Sequence, residues 1–162
     1  MNNSTCTTQI EGRCLEDYVV GSVSEFGSIA VEEAEIIDFA RRFDPQVFHT
    51  DPEAAKKTIY GGLIASGWHT ASMMMRLIVD HYLPTTRSLG SPGIDNMRWI
   101  MPVRPGDELS VRVTVMEANR SRSKPDRGVV RSFIEVLNQN HEVVLSVTAV
   151  NFILCRDAPL KG

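Results

Sequence analysis

Residues 66–82, SGWHTASMMMRLIVDHY, decide the fold. Ser66 can cap a helix that begins at Gly67 and runs to about Tyr82. Ala71, Met74, Met75, Ile78, Val79 and Tyr82 form a wide apolar face at helical spacing, while His69, Ser72, Arg76 and Asp80 make a narrow polar stripe three and four residues apart. A helix with so broad an apolar face is mostly buried. Leu83-Pro84 ends it. The segments that bury it come later in the chain. Ile94 to Val103, Asp107 to Glu117, Val129 to Asn138 and Val143 to Leu154 read as strands rich in β-branched residues, separated by Arg104-Pro105-Gly106, by a loop from Ala118 to Gly128, and by Asn138 to His141. The expected class is α+β: a long antiparallel sheet wrapped around one central helix. Such a sheet has edges to cover, so a homodimer is expected, with higher homo-oligomers open.

Upstream of the helix, Val19 to Val31 alternates like a strand or hairpin. From Glu32 to Phe43 the period changes: Ile36, Phe39, Ala40 and Phe43 share a helical face, and Glu32, Glu33 and Glu35 stand where the helix dipole favours acids. Phe43 to Thr50 reads as a loop because Pro45 disfavours helix at Asp44. Asp51-Pro52-Glu53 reads as an N-cap with Pro at N1, opening a short helix through Lys57 that Tyr60-Gly61-Gly62 breaks. Residues 1–14 read as a flexible arm and 15–157 as a single domain.

Composition narrows the function. A chain of 162 residues with 43% hydrophobic content suits one domain with a real core. The longest apolar runs fall far short of the ~20 residues a spanning helix needs, and Met1 to Ile10 is polar, so a cytoplasmic protein with no membrane association is expected. A net charge of −3 speaks against nucleic acid as a partner. Cys6, Cys14 and Cys155 are odd in number and lack CxxC spacing, as unpaired thiols would be.

The densest polar cluster is Phe43-Asp44-Pro45-Gln46-Val47-Phe48-His49-Thr50-Asp51. A carboxylate and an imidazole five positions apart, on a proline-stiffened segment among apolar residues, can grip one water between them. One takes a proton as the other supplies one, which is what adding or removing water requires. An apolar wall would raise the carboxylate's pKa. A turn cap at Asp44 and a packed ring at His49 are the structural alternatives; Asp51 reads as a cap. In Gly61 to His69 a glycine-bearing segment feeds the buried helix, so backbone N–H groups at its positive end can polarise a thioester carbonyl, with Ser66 and Gly67 at the turn and Ser72 able to add a hydroxyl. A tight turn without ligand is the alternative. Arg120, Arg122 and Lys124 could meet phosphates or simply be a solvated hairpin tip. His81 and His141 read as surface histidines. There is no GxGxxG, Walker loop, GxSxG or HExxH, and no third ligand joins His49 and Asp51 at metal spacing, so no cofactor and no metal are expected.

Asp44 to His49, Asp51-Pro52-Glu53-Ala54-Ala55, Ile64-Ala65-Ser66-Gly67-Trp68 and Met101 to Asp107 together resemble the MaoC-like dehydratases, which include the (R)-specific enoyl-CoA hydratases. The resemblance spans about residues 15–155. It implies a hotdog fold, a sheet around a central helix that pairs with a second subunit. It implies reversible addition of water to a trans-2-enoyl-CoA, giving a 3-hydroxyacyl-CoA of R configuration, without metal or redox cofactor and with a coenzyme A or acyl-carrier-protein thioester as partner. By the same resemblance Asp44 and His49 are the catalytic pair, Gly67 the oxyanion contact and Ser72 the helix serine. The chain departs from the family pattern at Pro45-Gln46-Val47, where an Asn-Pro pair is usual and Gln46 stands in for the asparagine, and at Ser66, where the family often has His before the glycine.

Two rival readings remain at this level. A hotdog acyl-CoA thioesterase commonly places a carboxylate on the central helix, and only Asp80 is available, near its far end. A non-catalytic acyl-CoA-binding subunit would keep the fold without turnover.

Overall fold

The computed structural model describes residues 10–159. Five strands, β1 (Val23–Ala30), β2 (Gly93–Trp99), β3 (Glu108–Arg120), β4 (Arg127–Leu137) and β5 (Val143–Leu154), form one sheet in the order β1-β3-β4-β5-β2. Every pairing is antiparallel. Strand periodicity of two sends alternate residues to one face, and Leu109, Val111, Val113 and Val115 of β3 are all buried there. On that face lies the central helix α4 (Gly67–His81), 15 residues and so roughly 22 Å long, with Met73, Met74, Leu77 and Ile78 turned into the sheet. This is the α+β hotdog architecture that the sequence implies. Gly27 lets β1 cross α4: its φ is +79°, a Cβ there would stand 2.8 Å from Leu77 Cδ2, and the register slips between Phe26 and Ile29.

Between β1 and α4 lie α1 (Glu33–Phe43), α2 (Val47–Thr50) and α3 (Pro52–Ala55). The turn α2 replaces the loop expected over 43–50. After Pro45 the chain coils once, with Gln46 O accepting from His49 N at 2.9 Å and from Thr50 Oγ1 at 3.1 Å. A single turn is too short to carry a periodic signal. Asp51 caps α3 as expected, accepting from Glu53 N at 2.9 Å and Ala54 N at 3.0 Å.

The apolar face of α4 is only partly covered. Met75 and Val79 stay 44% and 40% exposed, alongside Trp68 at 57%. His69, read as part of the polar stripe, is instead buried, its ring stacked 4.8 Å from Phe39. The loop expected from Ala118 to Gly128 shrinks to a short tip, because a bulge between Val115 and Glu117 re-phases β3 and keeps it paired out to Arg120. β2 stops at Trp99, short of Val103, where the N–H groups of Ile100 and Met101 converge on Val144 O at 2.8 and 3.3 Å.

Of the arm read over 1–14, residues 1–9, with Cys6, lie outside the described residues. Its end is packed: Cys14 is buried, and the Arg13 guanidinium lies 4.0 Å from the Tyr18 ring and 4.6 Å from that of Tyr82. Cys14 and Cys155 are free thiols. Among the described residues no helix is long and apolar enough to cross a membrane.

Candidate active site

Asp44 ends α1. Its N–H still returns to Ala40 O at 2.9 Å, and its own backbone then leaves helical geometry ahead of Pro45. The turn α2 swings the chain back, bringing His49 Nε2 to 3.3 Å from Asp44 Oδ2. His49 is buried, and its Nδ1 lies 2.7 Å from Ile64 O. A carbonyl only accepts, so Nδ1 carries the proton and donates, leaving Nε2 to face Asp44. The segment that presents Ile64 is clipped on both sides: Ile64 N donates to Phe48 O at 3.1 Å and Ala65 N to Val103 O at 2.8 Å.

Both carboxylate oxygens of Asp44 are engaged. Gln46 Nε2 donates to Oδ1 at 2.8 Å, and Ser66 Oγ donates to Oδ2 at 2.7 Å. Burial pushes the Asp44 carboxyl up, but the donors Ser66 and Gln46 and the His49 charge outweigh it and hold the group below its ordinary 3.8. This corrects the sequence expectation of a raised pKa: the apolar wall is present, and the hydrogen bonds override it. Ser66 is fully buried and also accepts from Trp68 N at 3.2 Å, so one hydroxyl caps α4 and orients Asp44.

A cavity of about 510 Å³ opens over the pair. Phe48, Tyr60, Ile64, Met101 and Val103 give it apolar walls, and Gly67 and Trp99 stand on one side. Gly67 is the first residue of α4, where a backbone N–H has no intrahelical acceptor. A larger cavity, about 900 Å³, lies around Arg13 and His81; the smaller one is the candidate because it holds the Asp44–His49 contact.

Asp44, Gln46, His49, Ser66 and Gly67 therefore come together. Ser72 does not join them: it is exposed and its Oγ donates to Trp68 O at 2.7 Å, one turn back on the same helix. The cations of the 120–125 loop stand apart in this chain. β5 has Val144 in the cavity wall and ends at Leu154 opposite Arg127, ten residues or roughly 33 Å away. Arg120 is committed to Pro125 O at 2.6 Å and to Asp157 Oδ2 at 3.0 Å. Asp80 pairs with Arg76 at 2.7 Å on the exposed end of α4, outside the cavity lining. Tyr60 and Trp99 are lining residues that the sequence does not single out; only the sheet pairing brings β2 to the start of α4, and no local pattern marks that.

A hotdog domain with a contacting Asp–His pair beside the start of its central helix defines a class, and sequence comparison names it. Residues 18–136 match the MaoC like domain family, and the chain belongs to that family. A solved MaoC-like dehydratase from Rhodospirillum rubrum is 44% identical with a TM-score of 0.83, over 89% of this chain and 98% of that one. The uncharacterized protein YdeM of Bacillus subtilis (strain 168) is 30% identical over 125 residues, 77% of this chain and 87% of that protein. The unliganded R-hydratase PhaJ1 from Pseudomonas aeruginosa shares the fold at 21% identity and a TM-score of 0.67, over 89% of this chain and 86% of that one.

Proposed function

We propose that the protein is a hydratase that adds water reversibly across the double bond of a trans-2-enoyl thioester, carried on coenzyme A or an acyl carrier protein, to give the (R)-3-hydroxyacyl thioester. The observation that carries this reading is the direct contact between Asp44 Oδ2 and His49 Nε2 at 3.3 Å in a cavity that also has apolar walls. The solved dehydratase relative at 44% identity supports the same reaction class.

The chemistry divides between the two groups. The Asp44 carboxylate takes a proton from water as the oxygen bonds to C3, and the C2–C3 π electrons move through the carbonyl carbon onto the thioester oxygen. Protonated His49 then delivers its Nε2 proton to C2 as the enolate collapses. Its Nδ1 keeps its own proton, donated to Ile64 O, so Nε2 alone exchanges. The turnover leaves the carboxyl protonated and Nε2 bare, and their contact returns the proton to the imidazole. Gly67 N–H donates to the thioester oxygen while it carries charge. The test is loss of enoyl absorbance from crotonyl-CoA with the purified protein, with Asp44→Asn as control. No turnover with crotonyl-CoA or with longer and branched enoyl-CoAs overturns the reading in favour of a non-catalytic acyl-binding subunit.

Ser66→Ala tests how Asp44 is tuned. Loss of one donor raises the carboxyl's pKa, and the ionised form is the active one, so the acid limb of the kcat/KM profile moves to higher pH. The same sign holds for stability. A carboxyl with a lowered folded-state pKa contributes stability that is present above its ordinary value of 3.8 and is lost as pH falls through the lowered value. Losing the α4 cap costs about 1 kcal/mol and lowers Tm at every pH. A shifted Tm with an unmoved acid limb would leave Ser66 as a cap only.

The exposed stripe Trp68, Met75 and Val79 on α4, and the open outer edge of strand β2 with exposed Ile94, suit burial against a second copy. Sedimentation is expected to give at least twice 18.0 kDa, and Met75→Asp to move the protein toward monomer. A wild-type monomer at micromolar concentration would count against the dimer.

A further inference from the structure

Trp99 is the last residue of β2 and reaches the first residue of α4. A Cβ on Gly67 would overlap its indole, 2.7 Å from Cδ1 and nearer still to Nε1 and Cε2, so the face of the five-membered ring, at its nitrogen, rests on the bare Cα of Gly67. Both residues line the cavity that holds Asp44 and His49. The strand is shaped for this approach: the β2–β5 register slips between Asp95 and Arg98, Asn96 takes φ +52°, and Trp99 arrives opposite Leu145. Trp68 meets the indole edge-on, 5.3 Å away at 74°, and holds its orientation. The Trp68 N–H is taken by Ser66 Oγ, which leaves the Gly67 N–H as the neighbouring open donor.

We propose that Trp99 is a further catalytic residue, whose indole Nε1–H donates beside Gly67 N–H to the thioester oxygen. This rests on the hydratase reading above. An indole nitrogen is a donor only, which suits an oxygen that gains negative charge and never needs to donate. Trp99 Nε1 lies next to Gly67 because glycine lets the ring come so close; a side chain at position 67 would push the ring away. Negative charge on that oxygen exists only while the enolate does, so the added donor favours the transition state over the bound enoyl thioester.

The test is Trp99→Phe, which keeps a ring against Gly67 and removes the donor. Trp99 is 48% exposed, so the change does not threaten folding. With crotonyl-CoA, kcat is expected to fall about 10- to 100-fold, less than the roughly 100- to 1,000-fold for a principal oxyanion donor because the Gly67 N–H remains, with KM changed by less than about 3-fold and Tm retained. The second measurement is the infrared carbonyl stretch of crotonyl-CoA bound to the Asp44→Asn protein. It should lie below the free frequency, and adding Trp99→Phe should return part of that shift. Wild-type kcat in Trp99→Phe, or an unchanged carbonyl shift, overturns the assignment of Trp99 while leaving the hydratase reading intact. A wild-type protein that hydrates no enoyl-CoA overturns the underlying reading itself.

Discussion

Asp44→Asn is expected to lower kcat for enoyl-CoA hydration at least ~100-fold while leaving the fold and the melting temperature almost unchanged. Asparagine has the same shape. Its Oδ1 can still accept from Gln46 Nε2, and its Nδ2 can donate to Ser66 Oγ, a hydroxyl able to reverse its role. What disappears is the proposed base. The amide also presents an N–H to His49 Nε2 and pins that nitrogen as an acceptor, so the variant loses the water's proton acceptor and blocks the proton carrier together. His49→Ala is expected to cost a similar factor by removing the acid and opening a gap beside Ile64 O. Because the two act as one unit, the double variant should lose little more than either alone. Initial rates at saturating crotonyl-CoA, with a thermal melt on each protein, check this. A single variant that keeps more than about a tenth of the wild-type rate removes that residue from the mechanism, and fully additive losses would mean that the two groups work on separate steps.

The pair is legible in the sequence because its cues are local. Pro45 stiffens the segment, five positions separate acid from base, and the flanking Phe43, Val47 and Phe48 mark an apolar setting. The cap roles of Ser66 and Asp51 are equally plain, since a capping residue is marked by its own type and by the helix-forming residues after it. The sheet and the central helix emerge from strand alternation and helical spacing, although a bulge at Met116 and one at Asn96 shift the strand ends in ways that no alternation pattern carries. Three readings fail for one shared physical reason, the hydrogen bond or packing neighbour that a linear pattern omits. His69 looks polar on a helical wheel and is buried because Phe39 of α1 covers it. Asp44 looks like a carboxyl pushed up by apolar walls and is held down by Ser66, 22 residues away. Ser72 looks like a donor to the site and spends its hydroxyl on its own helix. Trp99 shows the converse: nothing near it in sequence marks it, and only the β2–β5 pairing sets it against Gly67.

Gly67→Ala separates stability from activity more sharply than any other change at the site. Alanine is the better helix former by up to about 1 kcal/mol, so α4 itself is not weakened. The added methyl cannot coexist with Trp99 where the ring now lies, since its carbon would overlap the indole. Trp99 is half-exposed and can swing outward, so the clash is relieved by losing the ring contact rather than by unfolding, and stability should stay within about 2 kcal/mol of wild type. Activity has no such escape. The methyl crowds the start of α4 and the displaced ring takes its own N–H away, so under the proposed mechanism the enolate oxygen loses its donors. Removal of one oxyanion donor costs roughly 100- to 1,000-fold in kcat elsewhere, and a loss of at least ~100-fold is expected here. Paired measurements of kcat and Tm decide the matter. Near wild-type turnover would place the thioester oxygen away from the start of α4 and end the role proposed for both Gly67 and Trp99, whereas a large loss of kcat with Tm held would show that this glycine serves the reaction and not the helix.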